Sequence, residues 1–174
     1  MEVVTGRDIK SPSDSRDALD ILIAQWRREI PGDSAEPLEV IGRIQYLGSV
    51  FEDSVSKVLK RFDLRYTDFD VIATLRRSGP PYTLTPTQLR KTVSITSGAM
   101  TAVLDRLEQA ELIERTAGIA DRRVKAATLT PEGAKLAEQA VTARFQEARK
   151  SIENLSIGEQ KELAALLKKL IKSV

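Results

Sequence analysis

Asp70 and Arg77 stand seven residues apart in the stretch "YTDFDVIATLRRSGPP". On one helix that spacing sets a carboxylate and a guanidinium on the same side, about 10 Å apart along the axis at 1.5 Å per residue. Such a pair could do base chemistry, with Asp70 as a general base and Arg77 and Arg115 stabilising an oxyanion. Nothing else a catalyst needs accompanies them: no activated nucleophile, metal set or glycine-rich phosphate loop is recognisable in the chain. Cysteine and histidine are both absent, which removes disulfides, thiol redox chemistry, a His-based triad and ordinary zinc sites. An enzyme is therefore not expected, nor is a metal or cofactor.

The cations are the other chemical resource. Net charge is only +2 over 174 residues, but it is unevenly spread. Between residues 76 and 125 nine basic side chains (Arg76, Arg77, Arg90, Lys91, Arg106, Arg115, Arg122, Arg123, Lys125) face five acids (Asp105, Glu108, Glu111, Glu114, Asp121). Excess positive charge concentrated in one third of the chain suits phosphate binding, with a merely solvated surface as the alternative.

The elements that must position these groups can be read from apolar spacing. Ala18, Leu19, Leu22, Ile23 and Trp26 make an amphipathic helix from Ser15 to about Glu29, preceded by a flexible stretch over residues 1–14. Pro37 opens a long helix ending near Arg61, with Val40, Ile41, Ile44, Leu47, Phe51, Val55, Val58 and Leu59 on its stripe. A short helix follows, with Thr67 as N-cap answered by Asp70 and Gly79-Pro80-Pro81 as its stop. In "LTPTQL", Thr85 caps a helix with Pro86 at its first position and Gln88 closing a capping box; it ends near Thr92. Another helix starts at Ser94 or Thr96 and carries Met100, Val103, Leu104 and Leu107. "LIERTA" (112–117) and "VKAATL" (124–129) read as a hairpin around "GIADRR". Helices capped by Thr130 and by Ser156 with Glu159 complete the chain, the last one striped with Leu163, Leu166, Leu167, Leu170, Ile171 and Val174.

This order predicts a mainly α fold with a small β-hairpin wing: a winged helix-turn-helix plus a helical dimerisation region. The DNA-binding lobe spans 63–132, and the discontinuous dimerisation region spans 15–62 and 133–174. Two closely spaced helix starts let the second helix present its N-terminal Ser, Thr and Gly residues to a major groove, while Arg90 and Lys91 sit where the first crosses the phosphate backbone. No apolar run nears the roughly 18 residues of a membrane span, and the N-terminus lacks a secretory signal, so a cytoplasmic, nucleoid-associated protein without membrane contact is expected.

The segments "LTPTQL", "SGAMT", "DRLE", "LIER", "DRR" and "LTPEG", in that order, resemble the MarR family of bacterial transcription regulators over roughly residues 64–135. The resemblance implies a homodimer binding a double-stranded, pseudo-palindromic operator, with repression relieved by a small molecule. The stripe of helix 157–174 fits dimerisation, or packing on helix 38–61 of the same chain. Base readout would fall to Thr96, Ser97, Thr101 and Arg106, because Ala102 and Val103 stand where relatives carry polar or basic residues. Arg122 and Arg123 would meet the minor groove from the wing, unless Asp121 or Glu114 neutralises one of them. Glu111 replaces a helix-ending glycine, so it either adopts a left-handed conformation or the helix ends differently.

The extra N-terminal helix with its tryptophan, and "FDVIATLRRSGPPYTLTPTQL", are similar to the urate-responsive branch of the family, the HucR and PecS type. Carried over, that branch's ligand set falls on Trp26, Asp70, Arg77 and Arg115, implying urate or a related anionic heterocycle as effector. Urate would meet a flat apolar face at Trp26, two cations at Arg77 and Arg115, and an acceptor for its ring N–H at Asp70. Each residue also has a structural reading. Trp26 could be interface core; Asp70 could be a helix cap or a salt-bridge partner. Arg77 suits the end of a helix dipole, and Arg115 could bind phosphate. A phenolic acid or antibiotic effector, and a winged-helix module that binds protein instead of DNA, are the alternatives.

Overall fold

The computed structural model describes residues 16–32, 34–117 and 125–173. The flexible stretch expected over residues 1–14, the hairpin tip with Arg122 and Arg123, and Val174 lie outside the described residues. The chain divides into two compact units, one ending at Asp53 and one beginning at Ser54.

In the first unit α1 (Ala18–Glu29) starts on Asp17, whose carboxylate accepts from the N–H groups of Leu19 and Asp20 at 2.9 Å, while Asp20 accepts from the Asp17 N–H. Arg43 of α2 (Pro37–Leu59) ties these caps down, donating to Asp17 at 2.8 Å and Asp20 at 2.6 Å. The two helices touch closely at Gly42, where a Cβ would come within 2.6 Å of the Leu19 side chain.

The second unit holds the main core, and Val55 and Leu59 at the end of α2 belong to it. A 3₁₀ turn (Lys60–Phe62) leads to α3 (Tyr66–Arg77). Its cap differs from the expected Thr67 and Asp70: the helix starts at Arg65, whose N–H donates to Asp68 at 3.2 Å. Two acids two residues apart compete for that job, and the one three residues past the true N-cap wins. Then come β1 (Thr83–Leu84), α4 (Pro86–Arg90), α5 (Ser97–Gln109), β2 (Ile113–Ala117), β3 (Lys125–Leu129), α6 (Pro131–Ser151) and α7 (Ile157–Ile171). The expected capping boxes at Thr85 and Ser156 are present, and Thr96 rather than Ser94 starts α5.

The sheet is antiparallel in the order β1-β3-β2, with Leu84 opposite Ala127 and Arg115 opposite Ala127 on the other side. The hairpin expectation placed two strands here; β1 is a third, too short for alternation to show, and it is held by Thr83 and Thr128 hydroxyls 2.8 Å apart. The result is the expected mainly helical winged helix-turn-helix. Ala137 and Ala140 of α6 share one core with α3 and α5.

Glu111 does take the left-handed conformation, with φ 58°. It ends α5 in a Schellman motif: the Leu112 N–H reaches the Leu107 carbonyl at 2.9 Å and the Glu111 N–H reaches Glu108 at 3.0 Å. The next helix is built onto that motif. Thr130 caps α6 through the Gly133 N–H, its hydroxyl donates to the Glu111 carbonyl at 2.8 Å, and its own N–H donates to Leu112 at 3.1 Å. Gly133 permits this approach, since a Cβ there would lie 1.9 Å from the Leu112 carbonyl oxygen.

Candidate nucleic-acid interface

The α4–turn–α5 segment is a pair of helices pinned by Leu89, Val93, Met100, Val103, Leu104 and Leu107, all buried. What remains outside is small and polar. Thr96, Ser97, Gly98, Ala99, Thr101 and Ala102 are exposed, and nothing lies within 4 Å of where a Gly98 Cβ would stand. Val103 is 3% exposed, so it is core and not a position from which any side chain could read a base. Thr96 and Thr101 are only partly available, since the Thr96 hydroxyl accepts from the Ala99 N–H at 3.2 Å and the Thr101 hydroxyl donates to the Ser97 carbonyl at 3.2 Å.

Arg90 and Lys91 are exposed at the end of α4, and neither has an acidic partner among the described residues. Their charges are free to meet phosphate. The two arginines at the other end of α5 are differently placed. Arg106 donates to the buried Asp68 of α3 at 2.5 Å. Arg115 on β2 donates to Asp105 of α5 at 2.5 Å and sits 3.3 Å from Glu108, one turn along the same helix face. Sequence reasoning missed Asp68, Asp105 and Glu108. The helical spacing of Asp105 and Glu108 was a visible signal, but nothing local tied them to Arg115.

The four residues of the expected effector set are not all brought together. Asp70 and Arg77 share α3 as the spacing requires. Burial pushes the Asp70 carboxyl above its usual range, and the charge of Arg77 opposes that shift without a salt bridge. Asp70 has no hydrogen-bond partner for its carboxylate among the described residues. Arg115 belongs instead to a groove of about 630 Å³ lined by Glu108, Glu111, Glu114, Thr130 and Glu132, and Asp70 and Arg77 do not line it. Trp26 is half-exposed on α1, in the first unit.

Further along α6, Glu147 is largely buried. Burial works to raise its carboxyl, but hydrogen bonds from Ser54 and Ser151 and the charge of Arg144 outweigh it and hold the group below its usual range. This cluster is fully paired and joins α2 to α6.

Comparison with known proteins gives the same picture. Residues 64–125 match the model of the MarR family. The HTH-type transcriptional regulator PecS of Dickeya dadantii is 35% identical over 146 residues, 84% of this chain and 88% of that protein. The multiple antibiotic resistance protein MarR of Salmonella typhimurium is 33% identical over 75% of this chain and 90% of its own length. A crystal structure of a mutant MarR from E. coli complexed with operator DNA superposes with a TM-score of 0.65 at 27% identity, covering 83% of this chain and 96% of that one.

Proposed function

The chain belongs to the MarR family of DNA-binding transcriptional regulators, which are not enzymes, and from that premise we propose that it is a repressor released by a small anionic heterocycle such as urate. It acts as a homodimer on a pseudo-palindromic operator whose half-sites lie about one helical turn, roughly 10 bp, apart. The exposed apolar residues of α7, among them Ile157, Leu166 and Ile171, supply the interface between copies. Ser97, Thr101 and Thr96 approach base edges, Arg90 and Lys91 hold phosphates, and Arg122 and Arg123 extend the contact from the wing.

The observation that carries the effector reading is Asp70. A half-buried carboxylate without a hydrogen-bond partner among the described residues, its pKa pushed up by burial, sits on the same helix as a cation. A ligand that presents a ring N–H to Asp70 and carbonyl oxygens to Arg77 answers both groups at once. Arg115 joins the ligand only by leaving Asp105 and Glu108. Release requires that the effector favour the arrangement incompetent for DNA.

The test is a gel-shift titration with DNA from the gene's own upstream region, at fixed salt, with and without urate. Retardation that urate relieves, and that Arg77→Ala makes insensitive to urate, is the expected result. Retardation unchanged by urate defeats the heterocycle reading and turns the search to phenolic acids and antibiotics. No retardation even at low salt favours a protein-binding module. Asp70 also makes a pH prediction in the absence of ligand. A raised carboxyl pKa in the folded state means the fold binds the proton more tightly than the unfolded chain, so stability falls as pH rises through that pKa. Asp70→Asn is expected to raise Tm at pH 7, with the gain vanishing below the usual carboxylate range; a lower Tm at pH 7 counts against the assignment.

A further inference from the structure

Arg106 lies in the second half of α5, the helix that faces DNA, and its surroundings assign it a task other than contacting nucleic acid. Its Nη2 donates to Asp68 Oδ1 at 2.5 Å, and its Nη1 donates back to the Ala102 carbonyl of its own helix at 3.2 Å. Its Nε is buried, with no hydrogen-bond partner among the described residues. The guanidinium is thus turned inward along α5 toward α3. Asp68 has only 7% of its side chain exposed, and its second oxygen accepts the Arg65 N–H that starts α3. Both carboxylate oxygens are therefore employed, one holding the start of α3 and one holding α5.

A guanidinium that swung out to a phosphate would leave the Asp68 charge buried with a single backbone donor, a state much less favourable than the pair. Otherwise α5 meets the core through the apolar Met100, Val103, Leu104 and Leu107, and its ion pairs from Asp105 and Glu108 run to Arg115 of β2, not to α3. Apolar contacts resist separation but tolerate rotation of a helix about its axis, whereas a charge-assisted hydrogen bond from a fixed position does not. We propose that Arg106 is a positioning residue for DNA binding: paired with Asp68, it sets the rotation of α5 on α3 so that Ser97 and Thr101 face the groove, and it makes no contact with DNA itself.

The experiment compares Arg106→Met, Asp68→Asn and the double variant, using an upstream-region duplex that the wild-type protein retards, across a series of salt concentrations. Loss of affinity of about 10-fold or more is expected in each single variant, since each leaves a buried charge or polar group without its partner. The double variant is expected to lose no more than either single one. The slope of log affinity against log salt is expected to stay at its wild-type value. A phosphate contact predicts the opposite: Arg106→Met lowers that slope by about one, and Asp68→Asn, having removed a negative charge, binds as well or better. Either result overturns the proposal. Should the variants fail to fold, the guanidinium ¹⁵N resonances of Arg106 in the wild-type protein decide. Restrained rotation about Cζ–Nη in the free protein, unchanged on adding DNA, is expected; free rotation that becomes restrained only with DNA overturns it.

Discussion

The two ends of α5 have opposite constructions. At the N-terminal end, Ser97, Gly98 and Thr101 are exposed, small and uncharged, and the nearby Arg90 and Lys91 have no acidic partner among the described residues. At the C-terminal end every cation is paired. Arg106 is held by Asp68, Arg115 by Asp105 and Glu108, and the helix terminus is bonded through Glu111 and Leu112 to the cap of α6. One end is arranged to meet a partner, and the other is arranged to be held by the protein. Positive charge alone would have assigned all four basic residues to nucleic acid. Burial and pairing divide them into two groups, Arg106 and Arg115 held by carboxylates and Arg90 and Lys91 without an acidic partner among the described residues.

The largest effect should come from breaking the held end at Gly133. Gly133→Ala places a methyl group on the Leu112 backbone carbonyl, which cannot yield as a flexible side chain would. A loss of about 3 kcal/mol is expected from such overpacking, read by urea unfolding, together with loss of operator binding. A loss below about 1 kcal/mol would show that the junction of α5 and α6 is softer than its hydrogen bonds imply.

The free end is sharpened by the double variant Arg90→Ala, Lys91→Ala. Binding is expected to weaken alike on operator and unrelated duplexes, with the salt slope reduced by about two, one for each phosphate contact. Stability should stay within about 0.5 kcal/mol of wild type, as for exposed side chains without partners. An unchanged slope, measured by fluorescence anisotropy over a salt series, would remove both residues from the interface.

The smallest effect is at Glu111. Its left-handed conformation costs of order 1 kcal/mol for a residue with a Cβ, and glycine carries no such cost, although it adds freedom to the unfolded chain. Glu111→Gly is therefore expected to stabilise the protein by about 0.5 kcal/mol and to leave DNA affinity unchanged. Destabilisation in a thermal melt would mean that the Glu111 side chain, on the rim of the acidic groove, contributes more than its backbone costs.

What the sequence by itself determined was local. Thr85 with Gln88, Thr96, Thr130, and Ser156 with Glu159 all start helices where their types and spacing predict, because an N-cap is satisfied by backbone groups two or three residues away. The ordered motifs carried the family, and the resemblance singled out Glu111, which stands where a helix-ending glycine is expected. Tertiary structure decided which of two nearby acids, Asp68 or Asp70, caps α3 and which is left with no hydrogen bond to its carboxylate among the described residues. It made Val103 core, added the two-residue strand at Thr83–Leu84, and separated Arg106 and Arg115 from Arg90 and Lys91. Each of these depends on what lies opposite a side chain. Asp68 and Arg106 are 38 residues apart in the chain, and no helical or strand period links positions at that distance. Pairing between elements becomes visible only once packing has set them side by side.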